Sequence, residues 1–320
     1  MGKYIVKRLI SSAIIIFLTA ILIFTVVYLI PTDPVKLMMG SDATVEEIEY
    51  KRVQMGLADP YIVQLGRFLK DLFLHADFGT SWRRGVSVSE ELFNRLPRTA
   101  MLGLMTIIVS TVIAIPLGVT AAINQNKWKD HACMVFSMCC VSIPDFWLAL
   151  MMVILFSQKL NILPSFGIGG PQYYIMPVIA GSLHGIGSLA RQTRSSMLEV
   201  IRSDYVTTAR AKGLAERKVV WKHMLPNALI PVITVVGQSF SRCIAGTVVI
   251  EQVFSIPGVG TYMTTAIQTR DYPITRACVV FLSAFTAVLL LLVDLAYAYV
   301  DPRIKAQYEA RSKKRRKNND

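Results

Sequence analysis

The chain has 320 residues, of which 53% are hydrophobic and only 17% are charged, and its formal net charge is +13. This composition, together with long uncharged apolar runs, is typical of a polytopic membrane protein rather than a soluble domain. The basic residues cluster in short segments beside the apolar runs, which indicates membrane orientation and argues against a nucleic-acid-binding surface.

Six apolar runs predict six transmembrane helices and therefore an all-α integral membrane fold. A helix of about 20 residues crosses the roughly 30 Å hydrocarbon layer. The first run exceeds the core of a signal peptide and lacks a small-residue cleavage site, so we interpret it as a retained span. The fourth run is short and weakly apolar. The predicted spans are 9–30, 100–123, 132–157, 174–190, 228–250 and 277–300.

The segment 31–97 between the first two spans has helical signals of its own. Thr44 and Glu47 have the spacing of a capping box, and Asp59-Pro60 marks a second helix start. Apolar residues recur at helical spacing after that start. We therefore predict two short amphipathic helices on the outer membrane face, followed by a turn at "HADFGTSW" that leads back to the membrane.

The distribution of Lys and Arg predicts the orientation of the chain. With the N-terminus in the cytoplasm, the inner segments hold 21 of the 34 Lys and Arg residues and the outer segments hold 10. Positive charge accumulates on the cytoplasmic side of membrane proteins. Both termini are thus expected in the cytoplasm, where the basic tail 301–320 is attracted to anionic membrane lipid.

Several chemistries have no support in the sequence. The chain contains no phosphate-binding P-loop and neither of the hydrolase motifs H-E-x-x-H and G-x-S-x-G. Its four His residues are scattered, and its five Cys residues show no metal-binding or redox spacing. An enzyme is not indicated, no cofactor or metal site is predicted, and a transporter, a channel or a scaffold remains.

The charged segment between spans four and five carries the most functional information. Residues 191–227 include eight Lys and Arg, and both halves of the segment have helical patterns. Gly213 separates the halves and adopts positive φ readily, whereas Pro226 is expected to end the second helix at Leu225. The segment is therefore predicted to form helix, turn and helix, a stiff lever that a cytoplasmic partner can grip.

This segment resembles the E-A-A-x3-G-x9-I-x-L-P loop of ABC importer permeases. Gly213 is followed after nine residues by "HMLP", and "DYVTTARAKG" is similar to the variant in the dipeptide, oligopeptide and nickel group. Other words of that group occur in the same order along nearly the whole chain, among them "PTDPV", "GTSW", "LPRTA", "IPDFWLAL", "VVIEQVFSIPGVG", "RDYP" and "VDLAYAYVDPRI".

The resemblance implies a type I ABC importer permease core with a cytoplasmic coupling-helix loop, in a prokaryotic cell membrane. It also implies four partners: a second homologous permease, two cytoplasmic ABC ATPase subunits that use ATP and Mg, and an extracytoplasmic substrate-binding protein. The expected domains are the helix 1–30, the outer segment 31–97, the permease core 98–300 with its coupling loop 193–227, and the tail 301–320. Thr207-Thr208-Ala209 takes the place of the E-A-A triplet, and the expected coupling residues are Thr207, Thr208, Ala209, Lys212, Gly213, Leu214, His223, Leu225 and Pro226.

Two sets of residues are candidates for the translocation pathway. Gln238, Ser241 and Arg242 share one stripe of the fifth span, where a lone charge is costly unless it faces water or an acid. Arg242 alternatively extends toward the membrane surface or pairs with Glu251. Asp145 follows a Pro, so it either caps a restarting helix, which we favour, or faces the cavity.

The resemblance also places a loop at the outer mouth of the pathway, which serves either as a gate or as a simple turn. Its residues are Glu251, Pro257, Gly258 and Gly260.

The cargo is the least defined property of the chain. Peptides are the leading expectation within the resembling group, and nickel or another small solute moved by the same machine is the alternative. A different class of protein, an ion-coupled secondary transporter, requires coupling acids at mid-membrane and often contains inverted repeats. The sequence shows no convincing repeat, and the charged lever has no role in that scheme.

Overall fold

The computed structural model describes residues 2–40 and 42–300, and the side chains of residues 2–4, 241–246 and 296–300 lie outside this description. The described part is helical, apart from connecting segments and one antiparallel bridge between Thr80 and Ser87. The chain divides into two compact units. Of the described residues, the first unit contains 100–254 and 288–300, and the second contains 2–40, 42–99 and 255–287. The predicted basic tail 301–320 lies outside the described residues.

The helices are numbered in chain order. They are α1 (Gly2–Tyr28), α2 (Pro34–Met39), α3 (Val45–Gln54), α4 (Tyr61–Leu74), α5 (Val88–Ile123), α6 (Trp128–Ser142), α7 (Asp145–Met152), α8 (Gln172–Ile201), α9 (Asp204–Ala211), α10 (Glu216–Lys218), α11 (Leu225–Val253), α12 (Val259–Thr269) and α13 (Tyr272–Val300). Two π-helical segments, Val153–Lys159 and Val219–Met224, follow α7 and α10.

Four helical stretches of the described chain are long and apolar enough to cross a membrane. These are Ile5–Tyr28, Val88–Ile123, Glu216–Phe240 and Tyr272–Leu295. α6 and the stretch Asp145–Lys159 meet the criterion together, but they are bent by 94° at the break between them. The predicted fourth span lies within α8, a 30-residue helix that is not among these apolar stretches.

The break in the predicted third span lies at Ile143 and Pro144. Ile143 has extended backbone angles of φ −82° and ψ 123°, because the ring of a following Pro disfavours the helical conformation of the preceding residue. Pro144 is also extended, and α7 begins only after it. The predicted single helix 132–157 is therefore two helices with a sharp change of direction.

The segment 31–97 contains three complete helices rather than the two predicted, and from Val88 onward it belongs to α5. The additional helix is α2, which begins where the Asp33 carboxylate accepts a hydrogen bond from the backbone N–H of Val35 at 3.0 Å. The predicted capping box of α3 is confirmed. The Glu47 N–H donates to the Thr44 hydroxyl at 3.3 Å, and the Thr44 N–H donates to the Glu47 carboxylate at 2.8 Å.

In the second unit, Asp271 ties the turn after α4 to the start of α13. Its buried carboxylate accepts hydrogen bonds from the Ser81 hydroxyl at 2.5 Å and from the Trp82 N–H at 3.2 Å. An apolar cluster of α5, α12 and α13 includes Tyr262, whose burial raises its pKa to about 12. The phenol therefore stays neutral and serves as part of the core.

In the first unit, α8 packs against α6, α7 and α11, and small residues allow the close approach. A Cβ at Gly187 would overlap the backbone carbonyl of Ser137 in α6. Close backbone approach at small residues is the usual way in which membrane helices associate. The position of α6 against α8 thus depends on the missing side chain of Gly187.

Candidate functional site

The short helix α9 is anchored through one buried face. Val206 and Ala209 lie in an apolar cluster with Met197 of α8 and with Val219 and Met224 of the second π-helical segment. Burying one Val side chain contributes roughly 1.5–3 kcal/mol. Because these contacts hold α9 on the ends of longer helices, the helix is firmly seated rather than loosely attached.

The opposite face of α9 is exposed and polar. Thr207, Thr208 and Lys212 are exposed, and Leu214 is half-buried. Gly213 has φ +73°, which confirms the predicted turn at this residue. The predicted first helix is instead divided, because α8 ends at Ile201 and α9 begins at Asp204.

An ion pair closes the turn around Gly213. Arg210 Nη2 lies 2.6 Å from Glu216 Oε1, and Arg210 Nε donates to the second carboxylate oxygen at 3.1 Å. Both side chains are about half exposed, so we expect the pair to contribute less than about 1 kcal/mol to stability.

The prediction that Pro226 ends the second helix at Leu225 is wrong. α11 begins at Leu225 with Pro226 in its first turn, directly after the π-helical segment. There the Leu225 N–H donates to the carbonyl of Val220, five residues earlier. Pro lacks an N–H and fits the first turn of a helix, where no such donor is needed. The half-buried His223 and the buried Leu225 thus belong to consecutive helical segments that continue into the fifth predicted span.

A buried ion pair at the base of this segment was not predicted. Arg194 of α8 donates from Nε and from Nη2 to the two carboxylate oxygens of Asp130, both at 2.7 Å. The Asn126 N–H donates to the same carboxylate at 3.0 Å, and the Asp130 side chain is only 3% exposed. This pair joins the first turn of α6 to the C-terminal third of α8.

The first unit also contains a small cavity of about 100 Å³, the Asp145 cavity, whose wall is mostly apolar. Asp145 carries the only fixed charge among the described residues of this wall, and His184 lines the same cavity. A carboxylate in such a wall suits a ligand group that carries N–H donors or a positive charge. The hydroxyl groups of the wall belong to Thr106, Ser110, Ser188, Ser239 and Thr247.

Of the candidate pathway residues, Asp145 lines the cavity and Gln238 does not. Asp145 is the first residue of α7, and no side chain caps that helix, so the favoured capping role is wrong. Gln238 is exposed and does not line this cavity, whereas its neighbour Ser239 does. The side chains of Ser241 and Arg242 lie outside the described residues, and their roles stay predictions.

The sequence alone does not single out His184, because it is one of four scattered His residues. The signal that identifies it is positional: Gly181, His184, Gly185 and Ser188 recur every three or four residues and line one face of α8.

Two hydrogen bonds join the predicted outer-mouth loop to α5. The Pro257 carbonyl accepts a hydrogen bond from Arg98 at 3.4 Å, and the Val259 N–H donates to the Thr99 hydroxyl at 2.9 Å. Gly258 precedes α12 with extended backbone angles, and Gly260 is buried within that helix. Glu251, at the end of α11, is completely buried.

The helical arrangement is that of a type I ABC importer permease. It matches the inward-facing methionine ABC transporter MetNI with a TM-score of 0.57 over 66% of this chain and 96% of the other, at 16% sequence identity. An amino acid ABC transporter matches with a TM-score of 0.51 over 67% of this chain and 94% of the other, at 11% identity. These similarities establish the fold.

The sequence defines the family. Residues 114–306 match the binding-protein-dependent transport system inner membrane component, and residues 1–103 match the N-terminal component of such proteins. The chain belongs to this family and is a membrane permease subunit rather than an enzyme.

Curated relatives match along their full length. The chain is 40% identical to a protein of Brucella abortus (strain 2308) named as a candidate peptide transport system permease, over 95% of this chain and 99% of the relative. It is 36% identical to the dipeptide transport system permease protein DppB of Alkalihalophilus pseudofirmus, over 95% and 100%. It is also 36% identical to the glutathione transport system permease protein GsiC of Salmonella paratyphi A, over 95% and 99%.

Proposed function

We propose that this permease forms half of the transmembrane pathway of an ATP-driven importer for short peptides. A second homologous permease supplies the other half in a heterodimer, two cytoplasmic ATPases hydrolyse ATP with Mg, and an extracytoplasmic binding protein delivers the peptide. The names of the relatives, which include peptide, dipeptide and glutathione permeases, support peptides as the cargo. The bias of Lys and Arg supports an orientation with both termini in the cytoplasm.

The main support for this proposal is that α9 has one buried face and one exposed face. Its buried face, with Val206 and Ala209, is fixed on the ends of α5, α8 and α11. Its other face exposes Thr207 and Thr208. A helix that is rigidly seated on membrane helices and exposed on the other side transmits the movement of a bound partner. We assign the ATPase contact to this face, with Lys212 and Leu214 at its rim.

The Asp145 cavity of the first unit is consistent with a peptide as the transported solute. A peptide carries an ammonium group and backbone N–H donors, and the Asp145 carboxylate can accept hydrogen bonds from such groups. We assign this cavity to the pathway, together with the sequence-predicted residues Gln238, Ser241 and Arg242. The Pro257 turn lies at the outer mouth in the same assignment.

A pair of matched Thr residues tests the coupling surface. Thr208 in α9 and Thr265 in α12 are both exposed, and each hydroxyl donates to the carbonyl four residues earlier, at 2.9 and 2.8 Å. Thr208→Trp should release the ATPases during purification of the assembled transporter and reduce uptake of a labelled dipeptide about tenfold or more. Thr265→Trp should retain the ATPases. Retention of the ATPases by both variants would contradict the assignment of α9.

The uptake assay also decides between the cargo classes. Membrane vesicles that contain the wild-type transporter should accumulate the dipeptide when ATP and the binding protein are supplied, and dissipating the proton gradient should leave this uptake unchanged. Uptake of nickel alone would replace peptide by metal as the cargo. Uptake that follows the proton gradient without ATP would identify an ion-coupled transporter.

A further inference from the structure

The second unit contains a larger cavity of about 420 Å³. The end of α1 forms one wall with Phe24, Val27 and Tyr28, and the start of α13 forms another with Tyr272 and Arg276. The remaining walls come from the 31–97 segment. They include Asp33, Arg52, Leu57, Gln64 and Trp82.

The charges around this cavity are not balanced. Asp33 forms an ion pair with Arg52 and also caps α2. Arg276 has no ion pair and no hydrogen bond within the described part of the chain, and its Nε is completely buried. The hydroxyl group of Tyr272 is likewise buried without a hydrogen-bond partner there. The described residues around the cavity therefore carry an excess positive charge. Two of their polar groups, Arg276 Nε and the Tyr272 hydroxyl, have no hydrogen-bond partner among the described residues.

Aromatic rings stabilise Arg276 only in part. The guanidinium carbon lies 5.0 Å from the ring centre of Phe24, 5.1 Å from that of Phe68 and 5.8 Å from that of Trp82. Such cation–π contacts cover the faces of the planar group. Its five N–H donors point outward in the plane of the group and still require acceptors. An anion with several oxygen atoms meets this requirement.

The cavity lies where two spans end. The apolar stretch of α1 ends at Tyr28, and that of α13 begins at Tyr272, so both walls are at the level of the membrane interface. Apolar side chains at the end of α1 and just after it, Phe24, Val27 and Ile30, line the cavity next to these polar groups. The cavity therefore combines an unpaired cation with apolar walls at the level of the membrane interface.

We propose that this cavity binds the phosphate group of an anionic phospholipid of the outer leaflet. Arg276 binds phosphate oxygens with its paired N–H donors, and the Tyr272 hydroxyl donates to the same group. The glycerol part and the start of an acyl chain lie against the apolar side chains of the cavity wall, Phe24, Val27 and Leu57. The placement in the outer leaflet rests on the orientation given above, whereas the phosphate site itself does not.

Lipid retention in the assembled transporter tests this site. The transporter is purified with phosphatidylglycerol, washed with detergent, and its bound lipid is measured by mass spectrometry. Arg276→Gln should lower the affinity for phosphatidylglycerol about tenfold, because charge-assisted hydrogen bonds are lost. Arg276→Lys should retain most of the lipid. Arg83→Gln is the matched control, since Arg83 is exposed in the same unit and does not line the cavity.

A second variant tests the cavity without changing the buried charge of Arg276. Leu57→Trp fills the cavity and keeps Arg276, so it should expel the lipid while the transporter remains assembled. Equal lipid retention by the wild type, Arg276→Gln and Leu57→Trp would overturn the proposal.

Two further outcomes would also overturn the lipid assignment. In the first, inorganic phosphate but not phosphatidylglycerol protects the wild type from heat, which identifies a soluble anion as the ligand. In the second, Arg276→Gln keeps its lipid but loses the stimulation of ATP hydrolysis by the binding protein, which identifies a protein carboxylate. Dipeptide uptake by the wild type is measured separately, so failure of the lipid site is distinct from failure of the proposed transport function.

Discussion

Loss of the Asp130–Arg194 ion pair should destabilise the permease far more than loss of a similar pair on its surface. The change is Arg194→Gln, which removes two donors at 2.7 Å from a carboxylate that is 3% exposed. The Asn126 N–H then remains as the described donor to that carboxylate. Removing one partner of a buried pair costs about 3–5 kcal/mol. Because Arg194 is itself 25% exposed and water can enter, we expect about 3 kcal/mol.

The control is Arg210→Gln, because Arg210 and Glu216 have the same two-bond geometry but are 42% and 52% exposed. This change should cost less than about 1 kcal/mol. The free energy of unfolding is measured by SDS titration in mixed micelles and followed by Trp fluorescence. A double-mutant cycle with Asp130→Asn should show strong coupling between the two residues. Equal losses for Arg194→Gln and Arg210→Gln, or additive losses for Arg194→Gln and Asp130→Asn, would refute this reasoning.

Three more predictions concern helix packing, a helix terminus and the Asp145 cavity. Gly187→Ala should lower the thermal stability of the purified permease sharply, because the added Cβ overlaps the Ser137 carbonyl, whereas Gly66→Ala, with open space around its Cβ, should not. Hydrogen bonds from Thr44 lower the pKa of Glu47 below its usual value of 4.5. The stabilisation of α3 by this cap is therefore complete above pH 4.5 and is lost as the pH falls through the lower pKa of the folded state. Hydrogen exchange of α3 amides, compared with α4 amides, measures this loss, and Thr44→Ala should abolish the pH-dependent difference. Asp145→Asn should reduce dipeptide uptake about tenfold with ATP hydrolysis retained, and unchanged uptake would remove Asp145 from the pathway.

Local sequence signals predicted much of the fold. The capping box at Thr44 and the turn at Gly213 depend on a few neighbouring residues, and both were located correctly. The expected helix end at Pro226 does not occur, because the effect of a Pro on a helix depends on the hydrogen bonds of the preceding turn. There a π-helical segment changes the hydrogen-bond spacing, and the helix continues.

Contacts between distant residues were not predictable from local patterns. Asp130 and Arg194 are 64 positions apart, and neither stands out as more than an ordinary charge near a helix end. Asp145 is expected to cap a helix because Asp often occupies the N-cap position after a helix break. In the structure Pro144 occupies the N-cap position of α7, and Asp145 is the first helical residue. The face of α8 that contains His184 was recognisable only once neighbouring helices showed which side lines a cavity.

The hydrogen bond between Ser81 and Asp271 has a consequence for the order in which the chain is made. The two residues are separated by 190 positions. At a synthesis rate of about 5–20 residues per second, the turn at Ser81 waits about 10 to 40 seconds for its acceptor to leave the ribosome. During this interval the turn lacks its buried acceptor, whereas α2 and α3 already contact each other and α4 already contacts α1. Truncated chains that end before Asp271 should therefore expose the 81–84 turn to proteases.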